Sequence, residues 1–394
     1  MTTLKLLNEK IENIAEMKEE EIERNNYIKY KYVFDETVNI LKTMNVLLYG
    51  GTALNDFLPS NLKIYEEQVL PDIDIFCVNA EKKAKIIENK LIKKNFKAVS
   101  VSEAMHPGTY KIFAQGLQVI DITDIPYNAF KILLKNSTKG SMGITIVNYE
   151  FLRLSLHMML SQSNDAHRWP KVFKRLINYY TYMPPTDSNS SCLISLKLDN
   201  DYLSAVNLIY SYLKNSEFVL FGPNEINMIS NNLNKNTIKP EVFILAKTDN
   251  LTKTMSKIVN KLNKTTHQKD FTIKNIYENN NFIYDFGIIS YKDQPIISIF
   301  KCESCMTYNE YEGLRIATIN TIIRMFLGII LSDHTFFNKW KNILKCYVDK
   351  LSILELKNKD SDKPLLQTFV KNCYGESEGL VTLRKNRILR LYKS

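Results

Sequence analysis

The chain has 394 residues, 45% hydrophobic and 24% charged, with 52 Lys and Arg against 42 Asp and Glu, a formal charge of +10. This composition excludes a disordered chain, and the length exceeds one ordinary core, so two or three domains are expected. The basic surplus suits a polyanionic partner without choosing one.

Residues 3–24 carry a helical pattern. Leu4, Leu7, Ile11 and Ile14 fall at a/d spacing, and residues 19–23 form an acidic end. Two heptads suit a packing helix or a partner-contact arm better than a coiled coil. The N-terminus is charged and lacks the apolar stretch of a secretory signal, and the longest apolar runs fall short of a membrane span. An intracellular protein with reduced thiols is expected.

Residues 27–43 continue as helix. A strand at 46–49, a Gly50-Gly51 turn and a short helix at 52–58, stopped by Pro59, follow. The next strand starts after Pro71, where proline is tolerated. It places Asp72 and Asp74 on one face, with Ile73 and Ile75 pointing to a core. Residues 80–94 read as a basic amphipathic helix with Ala84, Ile87, Leu91 and Ile92 inward. Strands at 109–113 and 118–123 form a hairpin turning at Gln115-Gly116. On its second strand Val119, Asp121 and Thr123 share a face, so a third carboxylate can lie beside Asp72 and Asp74. Residues 146–182 read as helical with one break, and 184–191 as a linker by composition. Among the six cysteines, Cys302 and Cys305 form a CxxC that no second pair or nearby His completes as a zinc site.

The second half repeats the first in order, at offsets of 162 to 177 residues. Residues 218–226 match 46–54, 239–245 match 70–76, 294–300 match 117–123, 311–316 match 149–154, and Lys339-Trp340 matches Arg168-Trp169. Five ordered landmarks argue for duplication of the whole unit. Where chemistry would sit the copies differ. Pro223 and Asn224 replace Gly51 and Thr52; Glu241, Phe243 and Ser298 replace Asp72, Asp74 and Asp121. On this alignment Arg153 recurs as Arg315, a structural role, and Trp169 recurs as Trp340 in the core.

Phosphoryl transfer asks a protein for metals, in-line positioning and phosphate donors. Asp72, Asp74 and Asp121 are oxygen ligands suited to hard cations. Backbone N–H groups at Gly50 and Gly51 and the following helix start can cradle phosphates, and Thr52 adds a hydroxyl. Alone, an Asp-x-Asp pair or a Gly-Gly turn is most often a solvated turn; the ordered set is far more specific. On the helix after the sheet, Arg168, Lys171 and Arg175 share a face, with Lys174 beside them. They fit either a solvated basic face or contacts in which Lys171 meets the triphosphate and Arg168, Lys174 and Arg175 meet an RNA backbone. His106 reads as a turn residue. The basic tail at 384–393 fits RNA contact and a helix end lying on an acidic surface equally well.

These motifs resemble the nucleotidyltransferase superfamily that includes DNA polymerase beta, poly(A) polymerases and CCA-adding enzymes. Three features look more narrowly like the catalytic poly(A) polymerase subunits of poxviruses and other large cytoplasmic DNA viruses. They are Gly50-Gly51-Thr52 with Asp72-Ile-Asp74; His106-Pro-Gly-Thr-Tyr110 ahead of Asp121; and Phe151-Leu-Arg153 followed by Arg168-Trp169-Pro-Lys171. Thr52 stands where serine is commoner. The resemblance implies an α+β (α/β-like) fold of two tandem nucleotidyltransferase-like units, each a small mixed sheet flanked by helices, the second degenerate. The expected organisation is an N-terminal helical segment at 1–44, an active domain at 45–183, a linker at 184–200 and a degenerate domain at 201–394 with a basic tail. The implied reaction is template-independent transfer of AMP from ATP to RNA 3′-hydroxyls, with Mg²⁺ or Mn²⁺, in the host cytoplasm or virion. Relatives include homodimers and enzymes with a processivity subunit. A uridylyl or CCA-type terminal transferase would share every site residue, and an RNA-binding processivity pseudo-enzyme is the non-enzymatic alternative.

Overall fold

The computed structural model describes residues 2–186, 200–230, 241–278, 282–357, 363–376 and 380–391. The chain divides into two compact units, 1–152 with 379–394 and 153–378. Most of the stretch expected as a linker at 184–200 lies outside the described residues.

In the first unit the long helix α1 (Thr2–Lys42) leads to strand β1 (Leu47–Tyr49), helix α2 (Gly50–Phe57), strand β2 (Asp74–Cys77) and helix α3 (Ala80–Lys93). Strands β3 (Ser100–Glu103), β4 (Thr109–Ala114) and β5 (Leu117–Asp124), helix α4 (Tyr127–Leu134) and the short strands β6 (Thr138–Lys139) and β7 (Thr145–Ile146) follow. Among the described residues these strands form one mixed sheet in the order β3-β4-β5-β2-β1-β7-β6. Its core is apolar: Leu47, Leu48, Ile75, Ile112 and Ile122 are fully buried, as are Ala84, Ile87 and Leu91 on the inner face of α3. Ile92, expected inward, is exposed, because the inner stripe of α3 passes through Leu91. α1 packs through Val33, Val38 and Leu41, whereas Ile11 and Ile14 of its heptad stripe are exposed.

Helix α5 (Tyr149–Leu160) runs from the first unit into the second, which continues with α6 (Trp169–Tyr182), α7 (Asn200–Leu213), β8 (Val219–Leu220), α8 (Pro223–Ser230), β9 (Val242–Ala246) and α9 (Leu251–Thr266). Then come β10 (Phe271–Tyr277), β11 (Phe286–Tyr291), β12 (Gln294–Lys301), β13 (Met306–Tyr311), β14 (Leu314–Ala317), α10 (Ile319–Leu331), α11 (Lys341–Lys357) and β15 (Cys373–Tyr374). A last helix, α12 (Leu380–Leu391), returns to the first unit.

The second sheet has the order β10-β11-β12-β9-β8-β14-β13-β15. Leaving aside β15, this is the order of the first sheet strand for strand. The pairing senses repeat as well. β1–β2 and β8–β9 are antiparallel; β2–β5 and β9–β12 are parallel; β1–β7 and β8–β14 are parallel. The hairpins β4–β5 and β11–β12 even share a register shift, after Ile112 in one and after Ile289 in the other. Both turn on two residues of positive φ, Gln115 and Gly116 in the first and Lys292 and Asp293 in the second. Such turns match the natural twist of a hairpin.

One landmark of the expected repeat is wrong. Residues 311–316 do not match 149–154: Tyr311 ends β13, Gly313 turns the chain at φ +79°, and Arg315 lies on β14, whereas Tyr149 and Arg153 are helical. A hexapeptide takes its conformation from its surroundings, and six similar residues are too few to fix it. The counterpart of α5 is α10. Asn148 caps the first through Phe151 N (2.8 Å) and Thr318 caps the second through Thr321 N (3.4 Å). Trp340 is buried as expected, but Trp169 is only half-buried, with its indole N–H donating to Met159 O (3.2 Å) and its ring against Phe369.

Arg153 is structural, although not through a repeat. Buried in the second unit, it donates to Tyr180 Oη, Asp349 Oδ1 and Ser352 Oγ. Tyr180 also meets His157 Nε2, His157 Nδ1 meets Asn320 Oδ1, and Asn320 Nδ2 donates to Glu355 Oε1. Burial, then the Arg153 charge, pushes His157 down to about 3, so it packs as a neutral ring. Among the described residues the expectation of reduced thiols fails at Cys305 and Cys373. β15 lies beside β13, bringing Cys373 to Cys305, and the two form a disulfide. Cys302 of the CxxC is a buried free thiol.

Candidate active site

β1 ends at Tyr49 and the chain turns at once into α2. Gly50 makes that turn with φ +71°, and a Cβ there would lie 2.5 Å from Asp74 Oδ2. Glycine is therefore required twice, by the backbone and by the carboxylate packed against it. The N-cap residue Tyr49 makes no side-chain capping bond, and α2 begins where β1 ends, so its first-turn N–H groups and dipole lie at that end of the sheet.

Asp74 is the first residue of β2, paired with Tyr49 on one side and with Asp121 of parallel β5 on the other. Neighbouring strands lie about 4.8 Å apart, so these carboxylates are adjacent on one face. Asp72 precedes the strand and is exposed, while Ile73 and Ile75 are buried as the alternation requires. Ile73 O accepts from Asp121 N (2.8 Å), tying this approach to β5. Thr52, expected to add a hydroxyl at the start of the helix, lies in the first turn of α2. It is buried, and the hydroxyl donates to Asp72 O, fixing the approach to β2.

Below the carboxylates lies an aromatic floor. Tyr49 stacks on Phe76, with centroids 3.7 Å apart, and Phe151 meets Phe76 edge-on. Tyr49 Oη lies 3.1 Å from Thr123 Oγ1. Burial, with the charges of Asp74 and Asp121, pushes the Tyr49 hydroxyl well above its ordinary value, keeping it a neutral hydrogen-bonding group.

Sequence reasoning missed Lys111 and Gln118. Lys111 stands opposite Asp121 in the hairpin, and its ammonium donates to both carboxylate oxygens, at 3.0 and 2.9 Å. It also donates to Gln118 Oε1 (2.8 Å), and Gln118 Nε2 donates to Asp121 Oδ1 (3.0 Å). The register of the expected hairpin places Lys111 across from Asp121, and that was the available signal. Beside the site, Glu23 and Asn26 of α1, Asp72, Leu117 and Gln118 help to line a pocket of about 190 Å³.

Among the described residues no three His, Cys, Asp or Glu side chains converge as a ready-made metal cluster. Lys111 covers Asp121, and Asp72 stands off in solvent. The donor set nonetheless fits a hard divalent cation: its donors are carboxylate oxygens, and one carboxylate already binds a cationic group through both oxygens.

Arg168 ends a short 3₁₀ turn, Lys171 and Lys174 are exposed on α6, and Arg175 is half-buried there. These four belong to the second unit and the carboxylates to the first. In the tail Arg390 donates to Glu103 Oε1 (2.8 Å) and Met105 O (3.0 Å), so for that residue the acidic-surface reading holds. His106 O accepts from Thr109 N (3.3 Å) in the turn expected for it.

In the second unit the same positions are filled with core. Phe221, Phe243 and Phe300 replace Tyr49, Asp74 and Thr123, as the strand registers require, and pack ring on ring. Glu241 remains a carboxylate, but a buried one. It accepts from Ser298 Oγ (3.3 Å) and Lys339 Nζ (2.9 Å), and burial raises its pKa.

A mixed sheet with a strand–glycine–helix turn facing in-register carboxylates, followed by a copy lacking them, defines tandem nucleotidyltransferase-like units. Residues 36–166 match the family of poly(A) polymerase catalytic subunits. Acanthamoeba polyphaga mimivirus has a protein provisionally named a poly(A) polymerase catalytic subunit. It is 26% identical over 190 residues, covering 46% of this chain and 32% of that protein. One from African swine fever virus (isolate Pig/Kenya/KEN-50/1950), with the same provisional name, is 28% identical over 131 residues, covering 33% and 27%. The chain thus spans about a third or less of these curated relatives. The crystal structure of the Megavirus polyadenylate synthase shares the fold, with a TM-score of 0.81 at 18% identity, over 98% of this chain and 83% of that one. No described helix is long and apolar enough to cross a membrane.

Proposed function

We propose that the first unit transfers AMP from ATP to an RNA 3′-hydroxyl without a template, and that the second unit is its scaffold. The observation that carries this reading is Asp74 in register with Asp121, packed against the Cβ-less Gly50 turn. That arrangement supports a reading in which N–H groups for a phosphate and paired carboxylates meet at one end of one sheet.

In this reading Gly50 and Gly51 present N–H groups to the triphosphate. Asp72, Asp74 and Asp121 would hold Mg²⁺ or Mn²⁺. When bound, the cation supplies charge neutralisation and a lower pKa for the acceptor hydroxyl. Asp121, one strand further from the turn than Asp74, would face the acceptor. The 3′-hydroxyl gives its proton to solvent and its oxygen attacks the α-phosphorus in line; a new P–O bond forms, the bond from the α-phosphorus to the bridging oxygen breaks, and pyrophosphate leaves. Thr52 holds the Asp72 approach in place. Lys171 contacts the triphosphate, and Arg168, Lys174 and Arg175 contact the RNA backbone. The enzyme acts on messenger RNA in the host cytoplasm or virion, as a homodimer or with a processivity subunit.

The test is extension of a short RNA primer with each of the four nucleoside triphosphates separately, with Mg²⁺ or Mn²⁺ titrated. Tailing with ATP alone supports the proposal. Equal or preferential use of UTP or CTP would replace it with another terminal transferase. RNA binding without incorporation would make the chain a processivity protein.

A further inference from the structure

The hairpin β4–β5 carries a polar trio absent from its counterpart. Lys111, Gln118 and Asp121 are joined by four hydrogen bonds at 2.8 to 3.0 Å. In β11–β12 the shared register puts Ile288, Pro295 and Ser298 at these three places. The two-residue turn and the register shift persist without the trio. The hairpin therefore does not need these bonds to form, and all three groups disappear together where the site is lost.

The trio also has a physical logic. Asp74 and Asp121 are adjacent carboxylates that repel each other. Lys111 offsets this by covering both oxygens of Asp121, the oxygens a divalent cation would use. The pair is partly exposed, 32% for Lys111 and 22% for Asp121, and a lysine stem is flexible enough to swing aside. A dication and an ammonium cannot share one carboxylate face without mutual repulsion.

We propose that Lys111 is a positioning residue, standing in for the cation at Asp121 and yielding that face when a divalent cation and an incoming phosphate backbone arrive. This rests on the reading of Asp121 as a cation ligand. Free protein then binds its cation weakly at Asp121. Binding tightens when polyanionic substrate takes up the released ammonium, so cation and substrate load together.

The test is Mn²⁺ binding to the full chain by electron paramagnetic resonance, without nucleotide or RNA. Lys111→Met and Lys111→Gln should each tighten Mn²⁺ binding about fivefold, equivalent to about 1 kcal/mol, the scale of a partly exposed ion pair. Lys111→Arg keeps the charge and should stay within about twofold of wild type. Asp121→Asn should weaken binding, and adding Lys111→Met to it should give no tightening. Unchanged or weaker Mn²⁺ binding by Lys111→Gln, folded by circular dichroism, would overturn the role of Lys111, as would equal tightening by Lys111→Arg. Unchanged binding by Asp121→Asn would instead remove Asp121 from the cation site and overturn the underlying reading. The glutamine variant, which keeps a hydrogen-bond donor, covers the case in which methionine disturbs the hairpin.

Discussion

Asp74 and Asp121 face each other across neighbouring parallel strands, and Phe243 faces Ser298 at the same register in the second sheet. One scaffold thus holds a pair of carboxylates in one copy and a phenylalanine beside a serine in the other. The difference separates what the fold needs from what the chemistry needs. Asp74 and Asp121 are partly exposed, whereas Phe243 is fully buried among Phe221, Phe300 and Trp340.

Mutations at equivalent positions should accordingly fail in opposite ways. Asp74→Ala or Asp121→Ala should lower primer extension by about 10²–10³-fold or more, with circular dichroism and melting temperature close to wild type. Phe243→Ala should cost about 3–5 kcal/mol in urea unfolding, the usual range for emptying a buried phenylalanine site. Wild-type tailing by either aspartate variant would sink the site.

Gly50→Ala should damage both stability and activity. The residue holds φ +71° and has Asp74 Oδ2 where a Cβ would go. A left-handed non-glycine costs about 1–2 kcal/mol, and the clash must push the Asp74 carboxylate out of line. Extension should fall at least about tenfold, a barrier increase of about 1.4 kcal/mol. Unfolding and steady-state kinetics measure the two effects. Full activity in a folded Gly50→Ala protein would show that the packed position of Asp74 is unimportant.

Thr52 separates a hydroxyl that binds substrate from one that positions a loop. It is buried and donates to Asp72 O. Thr52→Val leaves that carbonyl unpaired, at a cost of about 1–3 kcal/mol, and frees the Asp72 approach. Thr52→Ser keeps the bond and should behave like wild type in melting and extension. If valine left the melting temperature unchanged and only raised the KM for ATP, the hydroxyl would be a substrate ligand after all.

The site was legible because its elements are local and strongly patterned. Alternation around Ile73 and Ile75, the Gln115-Gly116 turn and the Gly50 step each have a short-range cause. The second copy was legible through Gly222, Glu241, Phe243 and Ser298, which the strand registers align as the sequence did. What escaped depended on distant partners. Nothing local to residues 311–316 says that they enter a sheet, and nothing near Cys373 says that β15 will lie beside Cys305. Lys111 escaped because a lysine on a strand usually reaches solvent, and only the cross-strand register turns it to Asp121. Thr52 escaped because the partner of its hydroxyl is the backbone of a residue twenty positions on.

Glu355 should give the second unit a pH dependence opposite to that of an ordinary paired carboxylate. It is buried, Asn320 Nδ2 donates to its Oε1, and burial pushes its pKa up to about 7. In the unfolded chain the group titrates near its ordinary value of about 4.3. Between these values the unfolded chain has lost a proton that the folded chain retains. Stability from this group is therefore full below about pH 4.3, falls as pH rises toward 7 and is level above. His157, pushed down to about 3, works the other way: its contribution rises from about pH 3 to about 6.5. The two slopes oppose each other in the wild type, so the difference between wild type and Glu355→Gln isolates the carboxyl. Any fixed cost of the amide cancels between pH values. Measured by urea unfolding at pH 5 and pH 8, Glu355→Gln should gain on wild type by about 1–3 kcal/mol at the higher pH. An equal difference at both values would mean that Glu355 is ionised in the folded protein throughout, with its charge held by the Arg153 network.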